Sequence, residues 1–350
     1  MRHQRCGSFY NGSLAEGCKH CINGSKMVLF ITGKCRTNCF YCPISLKKKD
    51  CDVIYANEMK ISSKNDIFKE IEMMRATGTG ITGGDPLINI DRTLDVIKIL
   101  KRQYGKSHHI HLYTSTIDPV KVKELVEVGL DEIRFHPKVS NWNIMETTKL
   151  EEISTMNIDI GVEVPVLPDY ENELSSLLSY ALRIGVGFVN LNELEFSEGN
   201  WSMMAGHGYE IKNDTSAAIA GSENLAFRMM EKYPELSIHF CSSSFKDGVQ
   251  LRNRLVRRAS CVAKEYDIIT EDGTIIKGVA YPKDLDAAFL LLKDDFDVPD
   301  KLMLVDRERN RIEIASYVLE EIASDLPFEC YEVEEYPTAD RLEVERRPLN

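Results

Sequence analysis

The chain has 350 residues, of which 43% are hydrophobic and 28% are charged, a composition typical of a globular protein with a sizeable core. Glycine and proline make up fewer than a tenth of the residues, which excludes a mainly disordered chain, and no apolar run is long enough to cross a bilayer or to form a signal peptide, so we expect a cytoplasmic protein without a membrane partner. The net charge of −12 arises in residues 262–350, which carry 11 basic and 23 acidic side chains, whereas residues 1–50 are basic.

Short apolar segments typical of β-strands alternate with amphipathic helices from residue 26 to residue 194. Strands that lie 20–30 residues apart, with a helix in each gap, are typical of a parallel sheet built from βα units. Six such units are too many for a small doubly wound domain and two fewer than a closed eightfold barrel needs. The predicted strands cover 27–33, 79–84, 109–115, 132–136, 158–165 and 188–193, and 236–241 is a candidate for one more.

Beyond residue 194 the sequence predicts a long loop over 197–222, followed by a helix from about Glu223. A basic helix is expected over 245–260, and Asp272-Gly273 indicates a tight hairpin turn at the start of the acidic tail. The predicted organisation is an N-terminal cysteine-containing extension (1–25), a partial (β/α)6 barrel (26–241), a basic helix (242–261) and a small acidic α+β domain (262–350).

Six of the ten cysteines lie within the first 42 residues, which indicates metal or redox chemistry rather than disulfides in a chain of this length. Three of them follow the first predicted strand as Cys35-x3-Cys39-x2-Cys42. Three thiolates at this spacing can hold one face of a metal cluster, whereas a structural zinc site prefers four closed ligands. The alternatives are a zinc loop and buried thiols that serve packing.

This spacing, with Tyr41 directly before the last cysteine, resembles the hallmark of the radical S-adenosylmethionine superfamily. The resemblance implies that Cys35, Cys39 and Cys42 hold three irons of a [4Fe-4S] cluster and that the fourth iron binds S-adenosylmethionine. It also implies a partial six-unit (β/α) barrel. The implied reaction is reductive cleavage of S-adenosylmethionine to a 5′-deoxyadenosyl radical, which abstracts a hydrogen atom from a substrate that the sequence does not identify.

A second resemblance lies one βα unit later, where the family usually has Gly-Gly-Glu-Pro in contact with the methionine amino group. This chain has Gly83-Gly84-Asp85-Pro86, and glycine lets a backbone carbonyl approach a ligand closely. The aspartate departs from the family pattern, so the resemblance implies contacts through the backbone at this position and none through the side chain. By position, the residues nearest to the family's ribose and carboxylate contacts are Thr114, Ser115 and Arg134.

Polar side chains recur at alternate positions of the later predicted strands, so each pair shares a face. Burying a polar side chain in a parallel sheet costs free energy unless it faces a wet cavity or a ligand. Active sites of barrels lie at the carboxyl ends of the strands. These side chains are therefore candidates for contacting the cofactor or substrate, with satisfied structural hydrogen bonds as the alternative. The set comprises Arg134, His136, Glu163, Asn190 and Asn192.

Cys18-x2-Cys21 precedes the first strand and supplies half of a metal site. Cys241, at the end of the candidate seventh strand, is predicted to join it as a third ligand, which would bridge the two edges of the open barrel. Cys6 or His239 could provide a fourth ligand, and Cys261 is a further thiol. The site would hold zinc or an iron–sulfur cluster, and the alternatives are a redox pair and unliganded thiols.

The basic N-terminal region and the basic helix could together bind phosphate or RNA, although the helix could equally dock on the acidic tail. In several stretches, among them Gly78–Leu87 and Ile133–Pro137, the chain also resembles archaeal-type proteins related to pyruvate formate-lyase activating enzyme. The expected partners are S-adenosylmethionine, an electron donor such as ferredoxin or flavodoxin, and a protein or RNA substrate. Two rival functions remain: an activase of a glycyl-radical enzyme and a zinc-stabilised nucleic-acid-binding protein.

Overall fold

The computed structural model describes residues 1–350 and divides them into two compact units. The first unit contains residues 1–71 and 76–251, and the second contains residues 72–75 and 252–350. No helix in the chain combines the length and the apolar character that a bilayer span requires.

The first unit is built from thirteen strands and nine α-helices. Its strands are β1 (Arg2–His3), β2 (Phe9–Tyr10), β3 (Lys26–Phe30), β4 (Tyr55–Ala56), β5 (Met59–Lys60), β6 (Gly78–Thr82), β7 (His109–Thr114), β8 (Glu132–Phe135), β9 (Asp159–Val166), β10 (Phe188–Glu193), β11 (Ile211–Asn213), β12 (Ser216–Ile219) and β13 (Ile238–Cys241). Its helices are α1 (Glu16–Ile22), α2 (Lys64–Met73), α3 (Ile90–Tyr104), α4 (Pro119–Glu127), α5 (Leu150–Ser154), α6 (Glu171–Arg183), α7 (Trp201–Gly206), α8 (Ser222–Lys232) and α9 (Ser243–Phe245), and a π-helical stretch follows over Lys246–Leu251.

Eleven of these strands form one sheet in the order β1-β2-β13-β10-β9-β8-β7-β6-β3-β4-β5. The seven strands from β13 to β3 in this order are parallel to their neighbours. All six strands predicted from the sequence are present, and the candidate seventh is β13. The predicted fold class, a partial (β/α)6 barrel with a smaller α+β domain, is confirmed.

Two short hairpins cover the edges of the parallel sheet. At one edge β2 pairs antiparallel with β13, so that Phe9 lies opposite Phe240, and β1 continues the sheet. At the other edge β4 pairs antiparallel with β3. Because unpaired strand edges are templates for aggregation, these hairpins protect a barrel that remains open between β3 and β13.

The helices between the strands follow from ordinary capping and burial. In α4, Asp118 accepts hydrogen bonds from the backbone N–H groups of Val120 and Lys121, and Pro119 occupies the first turn, where its missing N–H costs nothing. Val122 and Leu125 share one face of this helix and are fully buried. The helix therefore begins at its cap and is held in place by its apolar face.

The prediction of a long loop over residues 197–222 is wrong. This segment contains α7 and the antiparallel hairpin of β11 and β12. The Asn200 side chain anchors the start of α7, since it accepts a hydrogen bond from Ser197 N and donates one to the Tyr41 carbonyl oxygen. Strands of three or four residues carry too little alternation to be read from a sequence.

The second unit is a six-stranded antiparallel sheet with helices, as the α+β prediction requires. Its order is β16-β17-β15-β18-β19, and β14 also pairs with β15. Its elements are α10 (Arg252–Val262), β14 (Ile268–Ile269), β15 (Ile275–Tyr281), α11 (Leu285–Asp294), β16 (Met303–Asp306), β17 (Arg311–Ile314), α12 (Ser316–Ile322), β18 (Glu329–Glu335) and β19 (Glu343–Pro348).

The hairpin between β14 and β15 was predicted around Asp272-Gly273. The Gly273 N–H donates to the Thr270 carbonyl oxygen, so Glu271 and Asp272 occupy the centre of the turn. Gly273 itself follows the turn at φ +84°, a left-handed conformation that favours glycine.

The predicted basic helix is interrupted: α9 and the π-helical stretch precede α10. Within the second unit, Arg252 of α10 pairs with Asp272 at 3.3 Å, and Arg258 Nε donates to the Pro337 carbonyl oxygen at 2.5 Å. These contacts favour docking of this helix on the acidic tail over a free phosphate-binding surface.

Candidate active site

The inward faces of the parallel strands enclose a cavity of about 650 Å³ in the first unit. The cysteine loop, the glycine pair and the predicted inward-facing polar side chains all line it. Sequence-predicted residues in this lining are Cys18, Cys21, Cys35, Cys39, Tyr41, Cys42, Gly83, Gly84, Thr114, Ser115, Arg134, His136, Glu163, Asn190, Asn192 and Cys241. Residues from more than 200 positions of sequence therefore meet at one site.

The loop after β3 presents Cys35, Cys39 and Cys42 to this cavity. The Thr37 backbone N–H and hydroxyl lie 3.5 and 3.0 Å from the Cys35 sulfur, and Cys42 N donates to the Cys39 carbonyl oxygen at 3.1 Å. Burial opposes ionisation of Cys39, but hydrogen bonds with His136, Tyr41 and Thr37 outweigh it and lower the pKa of this thiol to about 7. Cys39 is thus a thiol with marked thiolate character near neutral pH.

Tyr41 packs the cysteine loop against the barrel. It is buried, and its hydroxyl lies 3.3 Å from His136 Nε2. Burial raises the pKa of this phenol, so it remains protonated. Because His136 Nδ1 lies 2.8 Å from the Glu163 carbonyl oxygen, which can only accept, Nδ1 carries a proton.

The glycine pair follows β6 and touches the backbone of the cysteine loop. Gly83 has φ +155°, and a Cβ at Gly83 would clash with the Thr32 carbonyl oxygen. A Cβ at Gly84 would clash with the carbonyl oxygens of Lys34 and Gly33. Only glycine permits this approach, which brings the end of β6 and the start of the cysteine loop together.

The Asp85 side chain is fully used within the protein. It is buried and accepts hydrogen bonds at 2.7 Å from the hydroxyls of Thr114, Ser115 and Thr116 and at 3.0 Å from Leu87 N. It therefore ties the end of β7 to the glycine pair and does not line the cavity. A cofactor contact at this position would therefore come from the backbone of Gly83 and Gly84. The sequence did not predict the three hydroxyl groups that bind Asp85, which we call the Asp85 belt.

Arg134 is the centre of a buried ionic chain. Its guanidinium bonds Glu132 at 2.5 Å and Glu163 at 2.7 Å. Asn192 Nδ2 donates to Glu163, and Asn190 Nδ2 donates to Asn192, each at 3.0 Å. The predicted polar residues thus satisfy one another across β8, β9 and β10 and form a prearranged wall of the cavity.

The second set of thiols also faces this cavity. Cys18 and Cys21 lie on α1, and Cys241 ends β13. The Gln250 amide joins two of them, since Cys21 Sγ lies 2.9 Å from its Oε1 and its Nε2 donates to Cys241 Sγ at 3.2 Å. Of the other thiols considered, Cys6 is exposed, and Cys261 belongs to the second unit.

A histidine cluster beneath α1 was not predicted as a unit. The ligand atoms of His109, His111 and Glu132 all lie within 4.8 Å of one another. Neither ring nitrogen of His111 has a hydrogen-bond partner, and burial lowers the pKa of this imidazole well below its ordinary value. Gly17 of α1 packs directly against this ring, and its N–H donates to Glu132 at 2.9 Å. Only the alternation in His109-x-His111 marks this cluster in the sequence.

The cysteine loop has the donors that a cuboidal iron–sulfur cluster requires. Its three thiols come from one short loop, and one of them is already biased towards the thiolate that ligates metal. The Thr37 backbone N–H donates to the Cys35 sulfur, as is common around cluster ligands. The residues present therefore fit a cluster with three protein ligands.

Comparison with known proteins identifies related sequences. Residues 29–153 match the radical SAM superfamily, and residues 273–349 match a domain of unknown function, DUF8061. A Methanocaldococcus jannaschii protein, provisionally named a glycyl-radical enzyme activating enzyme, is 41% identical over 96% of this chain and 93% of its own length. A Pyrococcus furiosus protein, named a tungsten-containing aldehyde ferredoxin oxidoreductase cofactor-modifying protein, is 26% identical over 48% of this chain and 51% of its own length.

Two solved structures show weaker likeness. Methylornithine synthase has a TM-score of 0.40 and 13% identity, over 61% of this chain and 63% of that one. The radical S-adenosylmethionine methyltransferase of Kitasatospora setae has a TM-score of 0.35 and 9% identity, over 67% of this chain and 52% of that one. The chain spans less than two thirds of either structure.

The superfamily match contains the whole cysteine loop and the glycine pair, and the relative that is 41% identical covers nearly the entire chain. The chain therefore belongs to the radical SAM superfamily, whose enzymes use a [4Fe-4S] cluster and S-adenosylmethionine.

Proposed function

We propose that Cys35, Cys39 and Cys42 hold a [4Fe-4S] cluster and that S-adenosylmethionine binds beside it, along Gly83 and Gly84. The observation that carries this proposal is the meeting of the three thiols and the two glycines in one cavity. Each element is specific to the family, and together they supply both a cluster and a surface for its ligand.

The chain's own residues position and enclose these cofactors. The Asp85 belt holds the ends of β6 and β7 together, so the backbone of the glycine pair is rigid where it would accept an amino group. The chain of Asn190, Asn192 and Glu163 orients polar groups along the far wall. Tyr41 closes the loop against His136.

When bound and reduced, the cofactors supply a 5′-deoxyadenosyl radical that abstracts a hydrogen atom from the substrate. The protein's task is to keep water and oxygen away and to hold the substrate near the C5′ carbon. The mutually bonded side chains of the cavity wall suit the second part of this task, because their hydrogen bonds fix the walls against which a substrate would be held.

The test is anaerobic reconstitution of the full chain with iron and sulfide, followed by addition of dithionite and S-adenosylmethionine. We expect formation of 5′-deoxyadenosine and methionine, and an electron paramagnetic resonance signal that changes when S-adenosylmethionine is added. Replacing Cys35, Cys39 and Cys42 together by serine should abolish both results. Cys51→Ser, an exposed thiol close to the same loop, is the matched control and should change neither.

A colourless protein that retains zinc in this loop would contradict the proposal. So would cleavage of S-adenosylmethionine that persists in the triple serine variant. The zinc-stabilised nucleic-acid-binding alternative predicts both a zinc-loaded loop and no 5′-deoxyadenosine.

A second candidate is activation of a glycyl-radical enzyme, which is favoured by the name of the Methanocaldococcus jannaschii relative. A protein substrate would need a docking surface beside the cavity. Trp201 and Met203 of α7 are each more than half exposed, and Asn200 ties the start of this helix to Tyr41 of the cysteine loop. Formation of a glycyl-radical signal in a supplied glycyl-radical enzyme would support activation, and cleavage coupled only to a small molecule would contradict it.

A further inference from the structure

Cys18, Cys21 and Cys241 form a second set of thiols on the cavity that the cysteine loop also lines. Cys18 and Cys21 are three residues apart on α1 and so share one face of that helix. Gln250 contacts the sulfurs of both Cys21 and Cys241. Three thiols from distant parts of the chain thus converge without forming a disulfide.

Two of these thiols contact a cation. Arg134 Nη2 lies 3.4 Å from Cys18 Sγ, and Lys26 hydrogen-bonds Cys21. Arg134 also has carboxylate partners.

Lys26 is different, because its ammonium group lies in the cavity and contacts only the Cys21 sulfur and the Tyr113 ring. It forms no ion pair with a carboxylate. Lys26 is only partly buried, and a cation in this position without a carboxylate partner favours an anionic group at the thiols.

The coordination number distinguishes the metals that could supply this charge. A structural zinc site takes four closed ligands. His239 and Glu163 also line the cavity, but His239 is committed to hydrogen bonds with Ser8 at 3.1 Å and Asn190 at 2.8 Å, and Glu163 is held by Arg134 and Asn192. Cys6 is exposed and does not line the cavity. Three thiols with no available fourth ligand suit an iron–sulfur cluster, which carries negative charge and accepts hydrogen bonds on sulfur.

We propose that Cys18, Cys21 and Cys241 ligate a second iron–sulfur cluster, with Lys26 as the cation beside Cys21 that balances part of its charge. The cluster would lie on the same cavity as the proposed S-adenosylmethionine site and would leave one iron open to it. An open iron binds a substrate through an amine, carboxylate or thiol. This site uses different residues from the proposed function, so the two proposals can fail separately.

The test is metal and sulfide analysis with Mössbauer spectroscopy on the full chain after anaerobic reconstitution. We expect about eight irons and eight sulfides per chain, against about four if the second site is absent. Replacing Cys18, Cys21 and Cys241 by serine should remove about half of the iron but leave the spectral response to S-adenosylmethionine. The triple variant of Cys35, Cys39 and Cys42 should keep the other half and lose that response.

Cys261→Ser in the second unit is the matched control and should keep all of the iron. Because a serine variant could fail to fold, alkylation of the unmodified protein provides a second measurement. After reconstitution, Cys18, Cys21 and Cys241 should resist iodoacetamide, and removal of iron with a chelator should expose them. Four irons in the unmodified protein, one bound zinc at these thiols, or equal alkylation with and without iron would each overturn the proposal.

Discussion

At the scale of single residues, Arg134 pairs with two carboxylates of the barrel, the fully buried Glu132 and the partly buried Glu163. Arg134→Met would remove this cation from both carboxylates, at a cost of about 3–5 kcal/mol. We expect a clearly lower midpoint of urea denaturation for the full chain.

The control for this prediction is Arg228→Met, which removes a surface ion pair with Glu171 in the same unit, where both side chains are about half exposed. Exposed pairs contribute little, so the midpoint should not change. Equal effects of the two variants would show that the Arg134 network does not stabilise the barrel.

Gly84 is the residue at which backbone geometry and the proposed function meet. Gly84→Ala would drive a methyl group into the carbonyl oxygens of Gly33 and Lys34 and displace the cysteine loop. We expect the variant to bind less than half of the iron of the unmodified protein after reconstitution. Gly206→Ala has open space around the new methyl group and should bind iron normally. Normal iron content in Gly84→Ala would show that the loop does not need this contact.

At the scale of elements, the sequence predicts the parallel strands well and the strands at the sheet edges poorly. The strand 188–193 is predicted to the residue, because it follows Gly187 and its polar side chains recur at alternate positions. The two-residue strands β1, β2, β4 and β5 have no periodicity to detect, and their pairing depends on residues far along the chain. The cysteine loop can be predicted because it is a local motif. The Asp85 belt cannot, because it joins residues about 30 positions apart.

The strand β2 depends on one aromatic side chain. Phe9 is 1% exposed and packs between Phe240 and Phe227, with ring centroids 4.8 and 4.2 Å away. Phe9→Ala should therefore cost about 3–5 kcal/mol and release the strand from the edge of β13. The measurement is hydrogen exchange of the peptides that contain β2 and β13, which should become faster.

Val120→Ala on α4 is the control for this prediction, since Val120 is 68% exposed. Such surface changes are usually within about 0.5 kcal/mol. Unchanged exchange in β13 of Phe9→Ala would show that the N-terminal hairpin does not protect that edge.

At the scale of the whole chain, the buried ion pairs of the second unit predict how that unit responds to acid. In the second unit Arg311 is fully buried and bonds Glu313 at 2.7 Å and Glu335 at 2.8 Å, and Arg341 and Lys277 pair with the same carboxylates. Burial raises the pKa of Glu313, but the charges of Lys277, Arg341 and Arg311 outweigh it and lower the pKa to about 2, from 4.5 in the unfolded chain.

A carboxyl group whose pKa is lower in the folded state stabilises the fold above its unfolded pKa and loses that contribution as the pH falls. The second unit should therefore lose stability between about pH 4.5 and pH 2. Hydrogen exchange of β15 and β18 peptides, corrected for the intrinsic rate, measures this loss. Glu313→Gln should be destabilised at pH 7 and less sensitive to acid, whereas the exposed Glu345→Gln should behave like the unmodified chain. A Glu313→Gln variant with the original acid response would contradict this assignment.

The pairing of β2 with β13 can form only after the ribosome has synthesised β13. Ser8, beside β2, bonds His239 and Phe240 of β13, 231 and 232 positions later. At about 5–20 residues per second a ribosome needs on the order of ten to fifty seconds to make that interval. Throughout it the N-terminal segment has no strand to pair with, although the cysteine loop has already emerged. The N-terminal strands are thus among the last to find their partner in the sheet. We expect chaperones to bind and protect this segment in nascent chains.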